Sequence, residues 1–254
     1  MANTQRPPEA QLPPHPPLHG HYEDPEQRQA YVSGLFDASA GSYDRINRWM
    51  SLGTGERYRR QALERAGIAA GQRVLDIGCG TGVMAHQEQS MVGPLGSVLA
   101  IDPSVPMLRI ARGRGVEDLA AGRAERIPLA DSSVDFISFG HALRHTADLN
   151  AAFAEFHRVL SPGGILLILE ILPHASPWGY RIMKLYLKHL VPFATTLMTA
   201  NRKAARLMSY YWETLDQCLP PQRILEALRG QGFADAELRI RNGVFGDFRA
   251  VRPA

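Results

Sequence analysis

The chain has 254 residues, of which 45% are hydrophobic and 21% are charged, so it can bury the core of one large α/β domain. A formal net charge of +3 is too small to indicate a nucleic-acid partner. The two cysteines, Cys79 and Cys218, lie far apart, and we expect neither a disulfide nor a metal site. The sequence lacks both an apolar run of about 18 residues and a basic-then-apolar signal pattern, so we expect a cytoplasmic protein.

The N-terminal region is expected to differ from the rest of the chain. Residues 1–25 are rich in proline and polar side chains, a composition that predicts a disordered or extended tail. Helical spacing begins near Gln27, and residues 42–66 predict two more helices that cap the domain. We expect residues 26–254 to form one domain.

From about residue 73 onward, apolar strands alternate with segments of helical spacing. This alternation predicts an α/β fold with a Rossmann-like, doubly wound sheet that is mostly parallel, and a C-terminal hairpin should add one antiparallel strand. Six expected strands lie at about 73–78, 97–102, 134–139, 165–169, 235–241 and 244–252, and one further strand ends near residue 123. One expected helix ends near residue 91, a second begins at 104, a third spans 148–160 and a fourth begins at 220.

One segment carries the clearest chemical signal. Val74 to Gly82 reads Val-Leu-Asp-Ile-Gly-Cys-Gly-Thr-Gly, an apolar strand that runs into three alternating glycines. Such glycines let a ligand approach the backbone where a Cβ would block it. Asp102 ends the next strand and can accept both hydroxyls of a ribose, while Asp76 favours a cationic amino group over a pyrophosphate. This combination resembles the S-adenosylmethionine site of class I methyltransferases, and the competing interpretation is an ordinary βαβ turn.

Three further segments narrow the resemblance to one family: Tyr43–Gly53, Leu143–His145 and Arg158–Glu170. They are similar to the N-terminal signature, the loop after strand four and the C-terminal signature of the ubiquinone/menaquinone C-methyltransferase family. Members of that family methylate a ring carbon of a prenylated quinol precursor. The resemblance covers roughly residues 30–172 well and the remainder loosely.

The resemblance implies S-adenosylmethionine as the cofactor. The predicted contacts with the cofactor are Tyr43, Asp76, Gly78, Gly80, Thr81, Gly82, Asp102, Pro103, Met107, Arg123, Ala124 and Gly140. Arg123 stands where the family often has an acid or an amide, so its backbone is the expected contact with the adenine. Other interpretations stay open, because Asp76 can order the glycine turn, Asp102 can cap the next helix and Tyr43 can simply pack in the core.

Two histidines and an arginine follow strand four, at the edge where open α/β sheets bind ligands. Methylation of a ring carbon is helped by deprotonation of a neighbouring hydroxyl, and a histidine of near-neutral pKa suits that step. The arginine aligns with a family loop implicated in activating the substrate hydroxyl, although His145 replaces an asparagine of that loop. We therefore predict His145 as the base, Arg144 as the holder of the developing phenolate, and His141 as the reserve base. Glu170 either faces the substrate or pairs with a nearby arginine.

Residues 171–212 contain no Asp or Glu, and Trp178 to Leu190 predicts a helix with one narrow basic stripe among apolar side chains. The stripe consists of Arg181, Lys184 and Lys188. Three interpretations stay open. A helical insertion at 173–218 can form a lid over an apolar pocket. Alternatively, the helix lies in a membrane surface, or it is a core helix with one wet face.

Taken together, the resemblance implies methyl transfer from S-adenosylmethionine to an apolar, quinol-type or prenylated acceptor. A methyltransferase that acts on an isoprenoid or another secondary metabolite is the rival enzyme. A protein that holds cofactor or lipid in a biosynthetic complex without turnover is the rival of another class. We expect an apolar small-molecule acceptor and no nucleic acid as partners, whereas a peripheral membrane contact and a homo-oligomer stay open.

Overall fold

The computed structural model describes residues 11–22, 25–199 and 201–254. Its strands are β1 Arg73–Ile77, β2 Ser97–Asp102, β3 Asp118–Ala121, β4 Val134–Gly140, β5 Leu160–Ile171, β6 Ala234–Arg241 and β7 Phe245–Val251. They form one sheet in the order β3-β2-β1-β4-β5-β7-β6. β7 runs antiparallel to both of its neighbours, and the other strand pairs are parallel. The predicted doubly wound sheet with one antiparallel strand is confirmed.

Helices cover both faces of this sheet and form an additional layer beyond it. They are α1 Pro25–Met50, α2 Gly55–Ala66, α3 Val83–Val92, α4 Val105–Gly113, α5 Leu149–Val159, α6 Pro177–Lys184, α7 Val191–Thr199, α8 Arg202–Asp216 and α9 Pro221–Gly230. A π-helical turn, Leu185–Leu190, joins α6 to α7. Ser104 caps α4 as expected, because its Oγ accepts a hydrogen bond of 3.3 Å from the Met107 N–H.

The prediction of a helix break near residue 42 is wrong, because α1 continues without interruption to Met50. Leu35 and Ile46, on either side of the expected break, are buried in one apolar cluster with side chains of α8. Packing against α8 therefore stabilises the helix through Gly41, where local propensity alone favours an end.

The central strands are buried on both faces. In β5, Leu166 to Leu169 are at most 1% exposed, since α5 and α9 cover one side and α2 and α3 the other. A strand enclosed in this way has no wet face, which is why its sequence is continuously apolar. The sheet thus provides a rigid frame for the loops at its carboxyl edge.

The described part of the predicted tail, residues 11–22, packs against the domain. Leu18 is 1% exposed, and the Leu219 N–H donates a hydrogen bond of 2.8 Å to the Pro14 carbonyl. Composition indicated a segment unable to bury a core, but a segment can pack into a core that other residues build. Residues 1–10 and 23–24 lie outside the described residues.

The helical layer consists of α1, α6, the π-helical turn, α7 and α8. Its core includes Leu187 of the π-helical turn, Val191 of α7, and Leu207 and Trp212 of α8. Within the described ranges, every helix is too short or too polar to cross a bilayer. Within this layer α1 packs on α8 and α7, and it also faces the carboxyl edge of the sheet.

Candidate active site

A cavity of about 860 Å³, counted with its open mouth, lies at the carboxyl ends of β1, β2 and β4. β1 pairs with β2 on one side and with β4 on the other, so the chain reverses its strand order here. Ligands of open α/β sheets bind at this reversal.

Nine of the twelve predicted cofactor contacts line the cavity. These residues are Tyr43, Gly78, Gly80, Asp102, Pro103, Met107, Arg123, Ala124 and Gly140. The other three, Asp76, Thr81 and Gly82, do not line its wall. The structure thus brings α1, the glycine turn and the ends of β2 and β4 to one cavity.

The glycine turn fits a ligand that lies directly against the backbone. Gly78 has a φ of +63°, and a Cβ there would stand 2.7 Å from the Cβ of Ala142, so a side chain is excluded. Gly80 has a φ of +55°, and its Cβ position has nothing within 4 Å. Because Gly80 lines the cavity, that open space is available to a bound group.

Asp102 orders the glycine turn as well as facing the cavity. Its Oδ2 accepts a hydrogen bond of 2.8 Å from the Gly80 N–H, and its Oδ1 accepts one of 2.7 Å from the Ser104 N–H. Burial raises the pKa of this carboxyl to about 6. Asp102 is only 8% exposed. Each oxygen still has a second lone pair, so the carboxylate can also accept the hydroxyls of a ribose.

Thr81 ties the glycine turn to α1. Its hydroxyl donates a hydrogen bond of 2.5 Å to Asp44 Oδ1, and its carbonyl accepts one of 2.9 Å from Arg114 Nε. Arg114 also forms an ion pair with Asp44. The side chain predicted to contact the cofactor is therefore engaged with the protein, and Asp44 is a positioning residue that the sequence did not single out.

Asp76 lies beneath the turn and is 1% exposed. The Ser138 hydroxyl donates a hydrogen bond of 3.3 Å to its Oδ1, whereas Oδ2 has no partner among the described residues. Burial raises the pKa of Asp76 to about 7, and burial with the nearby Asp76 charge holds that of Glu88 well above its ordinary value. Two carboxyl groups therefore lie close together below the cavity.

Arg144 does not line the cavity, which differs from its predicted role as holder of a phenolate. Its side chain is 0% exposed, and its Nε lies 3.0 Å from Glu170 Oε1. Its Nη1 donates hydrogen bonds to the Tyr211 carbonyl at 3.1 Å and to the Thr214 hydroxyl at 3.0 Å. Arg144 points into the core because α8 supplies hydrogen-bond acceptors there. Of the two roles predicted for Glu170, the structure shows the pairing with an arginine.

His141 and His145 both line the cavity. His141 has a φ of +58°, a conformation that is strained for a residue with a Cβ, and its Nδ1 lies 3.9 Å from Glu170 Oε1. Burial lowers the pKa of His141, and the Glu170 carboxylate partly opposes this shift. The ring of His145 stacks on Tyr210, and burial together with Arg144 holds the pKa of His145 well below its ordinary value. Burial therefore favours the neutral form of both imidazoles.

One wall of the cavity was missed by sequence reasoning. α1 contributes Gln29, Val32, Ser33 and Phe36 to the lining. The rings of Phe36 and His145 meet edge to face, with the ring centroids 5.0 Å apart. Helical spacing indicated an apolar face on α1, but only long-range packing turns that face toward the cavity.

The sequence model of the ubiE/COQ5 methyltransferase family matches residues 24–245 of this chain. A relative from Pseudomonas putida, the ubiquinone/menaquinone biosynthesis C-methyltransferase UbiE, is 30% identical over 94% of this chain and 96% of its own length. The demethylmenaquinone methyltransferase of Symbiobacterium thermophilum is 29% identical over 85% of this chain and 90% of its own length. Both matches extend over nearly the whole domain.

A solved structure from Thermotoga maritima supports the same fold. This S-adenosylmethionine-dependent methyltransferase, described as a possible histamine N-methyltransferase, has a TM-score of 0.63 and 20% identity over 87% of this chain and 99% of its own. The resemblance implied a methyltransferase, and both that activity and the cofactor are confirmed. The chain belongs to the ubiE/COQ5 methyltransferase family and uses S-adenosylmethionine as its cofactor.

Proposed function

We propose that this enzyme methylates a ring carbon of an apolar, quinol-type or prenylated acceptor. The observation that carries the proposal is the place of His141 on the cavity wall, with the buried carboxylate of Glu170 behind it. The relatives from Pseudomonas putida and Symbiobacterium thermophilum carry names that refer to ubiquinone or menaquinone synthesis. Methyl transfer to the ring carbon of a phenol needs a base that removes the hydroxyl proton. Methyl transfer to a neutral amine needs no such base.

His141 replaces His145 as our first choice of base. The Glu170 carboxylate faces His141 Nδ1, so it can hold the ring in the tautomer that leaves Nε2 free to accept a proton. In the part of the chain that the structure describes, no carboxylate pairs with His145, and Arg144 lowers the pKa of His145 further. The distance of 3.9 Å between His141 and Glu170 is longer than a hydrogen bond, as is common before a substrate compresses a site.

Arg144 acts through Glu170 and not on the acceptor itself. Although burial alone would raise the pKa of Glu170, the Arg144 guanidinium and His141 lower it to about 2. Glu170 therefore stays ionised throughout the neutral range and can accept a hydrogen bond from His141 Nδ1–H when the two groups move closer. Arg144 is in this sense a positioning residue for the base.

The same cavity can present the acceptor ring in a dry setting. Val32 and Phe36 give one wall apolar surface, and Phe139 lies on the sheet side. When bound, S-adenosylmethionine supplies the methyl group as a cationic sulfonium. A site from which water is excluded favours loss of that charge and keeps the acceptor hydroxyl within reach of His141.

The test is identification of the product. The purified protein is incubated with methyl-labelled S-adenosylmethionine and demethylated prenylated quinols, and the lipids are analysed by tandem mass spectrometry. We expect the label on a ring carbon. Label on an oxygen or a nitrogen, or transfer only to non-aromatic isoprenoids from a crude lipid extract, would contradict the proposal.

A further inference from the structure

The outer face of the helix from α6 to α7 is apolar and exposed. Among the described residues, six of the ten large apolar side chains that are most exposed lie between 178 and 197. Five of them form what we call the apolar stripe: Trp178, Ile182, Leu185, Phe193 and Leu197, each 63–73% exposed. Scattered exposed apolar residues are normal, but a contiguous set on one helix indicates an interaction surface.

The π-helical turn keeps this stripe straight. On a regular α-helix at roughly 100° per residue, Leu197 would lie about 100° around the axis from Trp178. A π-helical turn accommodates one extra residue, which cancels that offset. The five side chains then fall within about 80° of one another, so Leu185–Leu190 aligns the two halves of the helix.

Basic residues lie along one flank of the apolar stripe, and among the described residues the acid observed to contact α6 is Asp216 of α8, which accepts a hydrogen bond of 2.7 Å from the Tyr180 hydroxyl. Arg181 and Lys188 are exposed, and Lys184 is half-buried with its ammonium 5.8 Å from the centre of the Tyr180 ring. Residues 171–212 contain no Asp or Glu. This surface is complementary to one that is both apolar and negatively charged, and a bilayer of anionic lipids has both properties.

The opposite face of the helix is fixed to the domain. Leu187, Val191 and Thr195 are buried, and the Tyr186 hydroxyl donates a hydrogen bond of 2.9 Å to the Met50 carbonyl at the end of α1. α1 also lines the cavity. The interpretation as a core helix with one wet face therefore fails, because the exposed face is the apolar one.

We propose that the helix from α6 to α7 lies in the surface of an anionic lipid bilayer. Trp178, Leu185 and Phe193 enter the boundary between headgroups and acyl chains. Arg181, Lys184 and Lys188 extend along the flank to the lipid phosphates. The proposal goes beyond methyl transfer and does not depend on which acceptor is used.

The first experiment uses Trp178 as a native probe. The full-length protein is mixed with vesicles of equal parts phosphatidylcholine and phosphatidylglycerol, and tryptophan emission is recorded. We expect a blue shift and quenching by brominated acyl chains, both of which should be lost in Trp178→Phe, because Trp212 is already buried and the half-buried Trp49 stacks on Tyr186. Unchanged emission of the native protein would overturn the proposal.

The second experiment separates charge from apolar contact. Each basic residue near an anionic surface contributes a factor of about 5 to partitioning, so Arg181→Glu/Lys184→Glu/Lys188→Glu should reduce it at least about 100-fold. The matched control reverses Arg57, Arg109 and Arg112, which are exposed on α2 and α4, and should bind nearly as the native protein does. Equal losses in the two variants would mean that only net charge matters, which contradicts the assigned surface.

Leu185→Ser/Phe193→Ser should reduce partitioning at least tenfold, whereas Leu52→Ser/Leu95→Ser, at 82% and 90% exposed positions elsewhere, should not. Cofactor affinity, measured by calorimetry, should be unchanged in all these variants and thereby reports an intact fold. A native protein that forms a dimer in light scattering and ignores vesicles, with the dimer lost in Leu185→Ser/Phe193→Ser, would assign the stripe to a second copy and overturn the proposal.

Discussion

The cavity has two sides of opposite chemical character. Below the glycine turn and at the end of β2, the buried side chains are acids: Asp76, Glu88 and Asp102. Toward the helical layer, the buried bases are His15, Arg28 and Arg144, with Glu170 among them, and His141 and His145 are half-buried on the cavity wall. A cationic cofactor suits the acidic side, and an acceptor that becomes a phenolate suits the basic side. The comparison teaches that the two sides of one cavity can differ in chemical character although few of these groups reach the cavity itself, namely Asp102 on the acidic side and His141 and His145 on the basic side.

The largest expected effect tests the basic side. His141→Asn removes the proposed base but keeps a residue that tolerates positive φ, so the backbone should persist. General-base catalysis contributes about 10²–10⁴-fold, and turnover should fall by that factor with cofactor affinity unchanged. Single-turnover kinetics and calorimetry check the two halves of this prediction.

The pH profile sharpens the same assignment. Because burial lowers the pKa of His141 below 6.5, the neutral form persists as the pH falls through 6.5. At saturating cofactor, native turnover should therefore stay level to below that pH and decline only beyond it. The opposite outcome would be that His145→Ala abolishes turnover, while His141→Asn keeps both the native turnover and its decline at low pH. In that case the base is His145.

The next effect concerns stability. Glu170→Gln leaves Arg144 as a charge that is 0% exposed without its counter-ion, and breaking such a pair costs about 3–5 kcal/mol. Urea denaturation measures the loss, and Asp135→Asn, which breaks the exposed pair with Arg73, should cost only about 1 kcal/mol. The folded-state pKa of Glu170, about 2, lies below its ordinary 4.5, so this stabilisation is complete above about pH 4.5 and is lost as the pH falls toward 2. Equal losses in the two variants would contradict the distinction.

The acidic side is tested by cofactor affinity. Asp102→Asn removes a charged acceptor, and one such hydrogen bond is worth roughly 1.5–3 kcal/mol, or roughly 10–150-fold in the dissociation constant. Because burial raises the pKa of Asp102 to about 6, native affinity should also weaken as the pH falls through 6 and the carboxylate is protonated. Asp118→Asn, at an exposed position on β3, is the control. An unchanged affinity in Asp102→Asn would remove Asp102 from the cofactor site.

The acidic side could be predicted from the sequence, and much of the basic side could not. Gly80 and Asp102 are joined by a hydrogen bond within one βαβ unit, so short-range pattern determines their meeting. The direction of Arg144 depends on Glu170 of β5 and Tyr211 of α8, and no local pattern contains that information. The continuity of α1 and the direction of its cavity-lining face also depend on tertiary packing. The sequence therefore predicted separate helices and did not reveal that α1 forms a wall of the cavity. A strand edge follows from local periodicity, whereas the orientation of a loop side chain follows from its tertiary partners.

The smallest expected effect lies where the two sides meet. Asp44 of α1 accepts hydrogen bonds from Thr81 of the glycine turn and from Arg114 after α4. Its side chain is 33% exposed, so Asp44→Asn should cost only about 1 kcal/mol of stability. Since the same contacts hold α1 against the turn, cofactor affinity should fall about fivefold, whereas Glu56→Gln, at an exposed position on α2, should change neither quantity. Calorimetry that finds full affinity in Asp44→Asn would mean that α1 and the glycine turn are held together by apolar packing alone, and that the two sides of the cavity are independent.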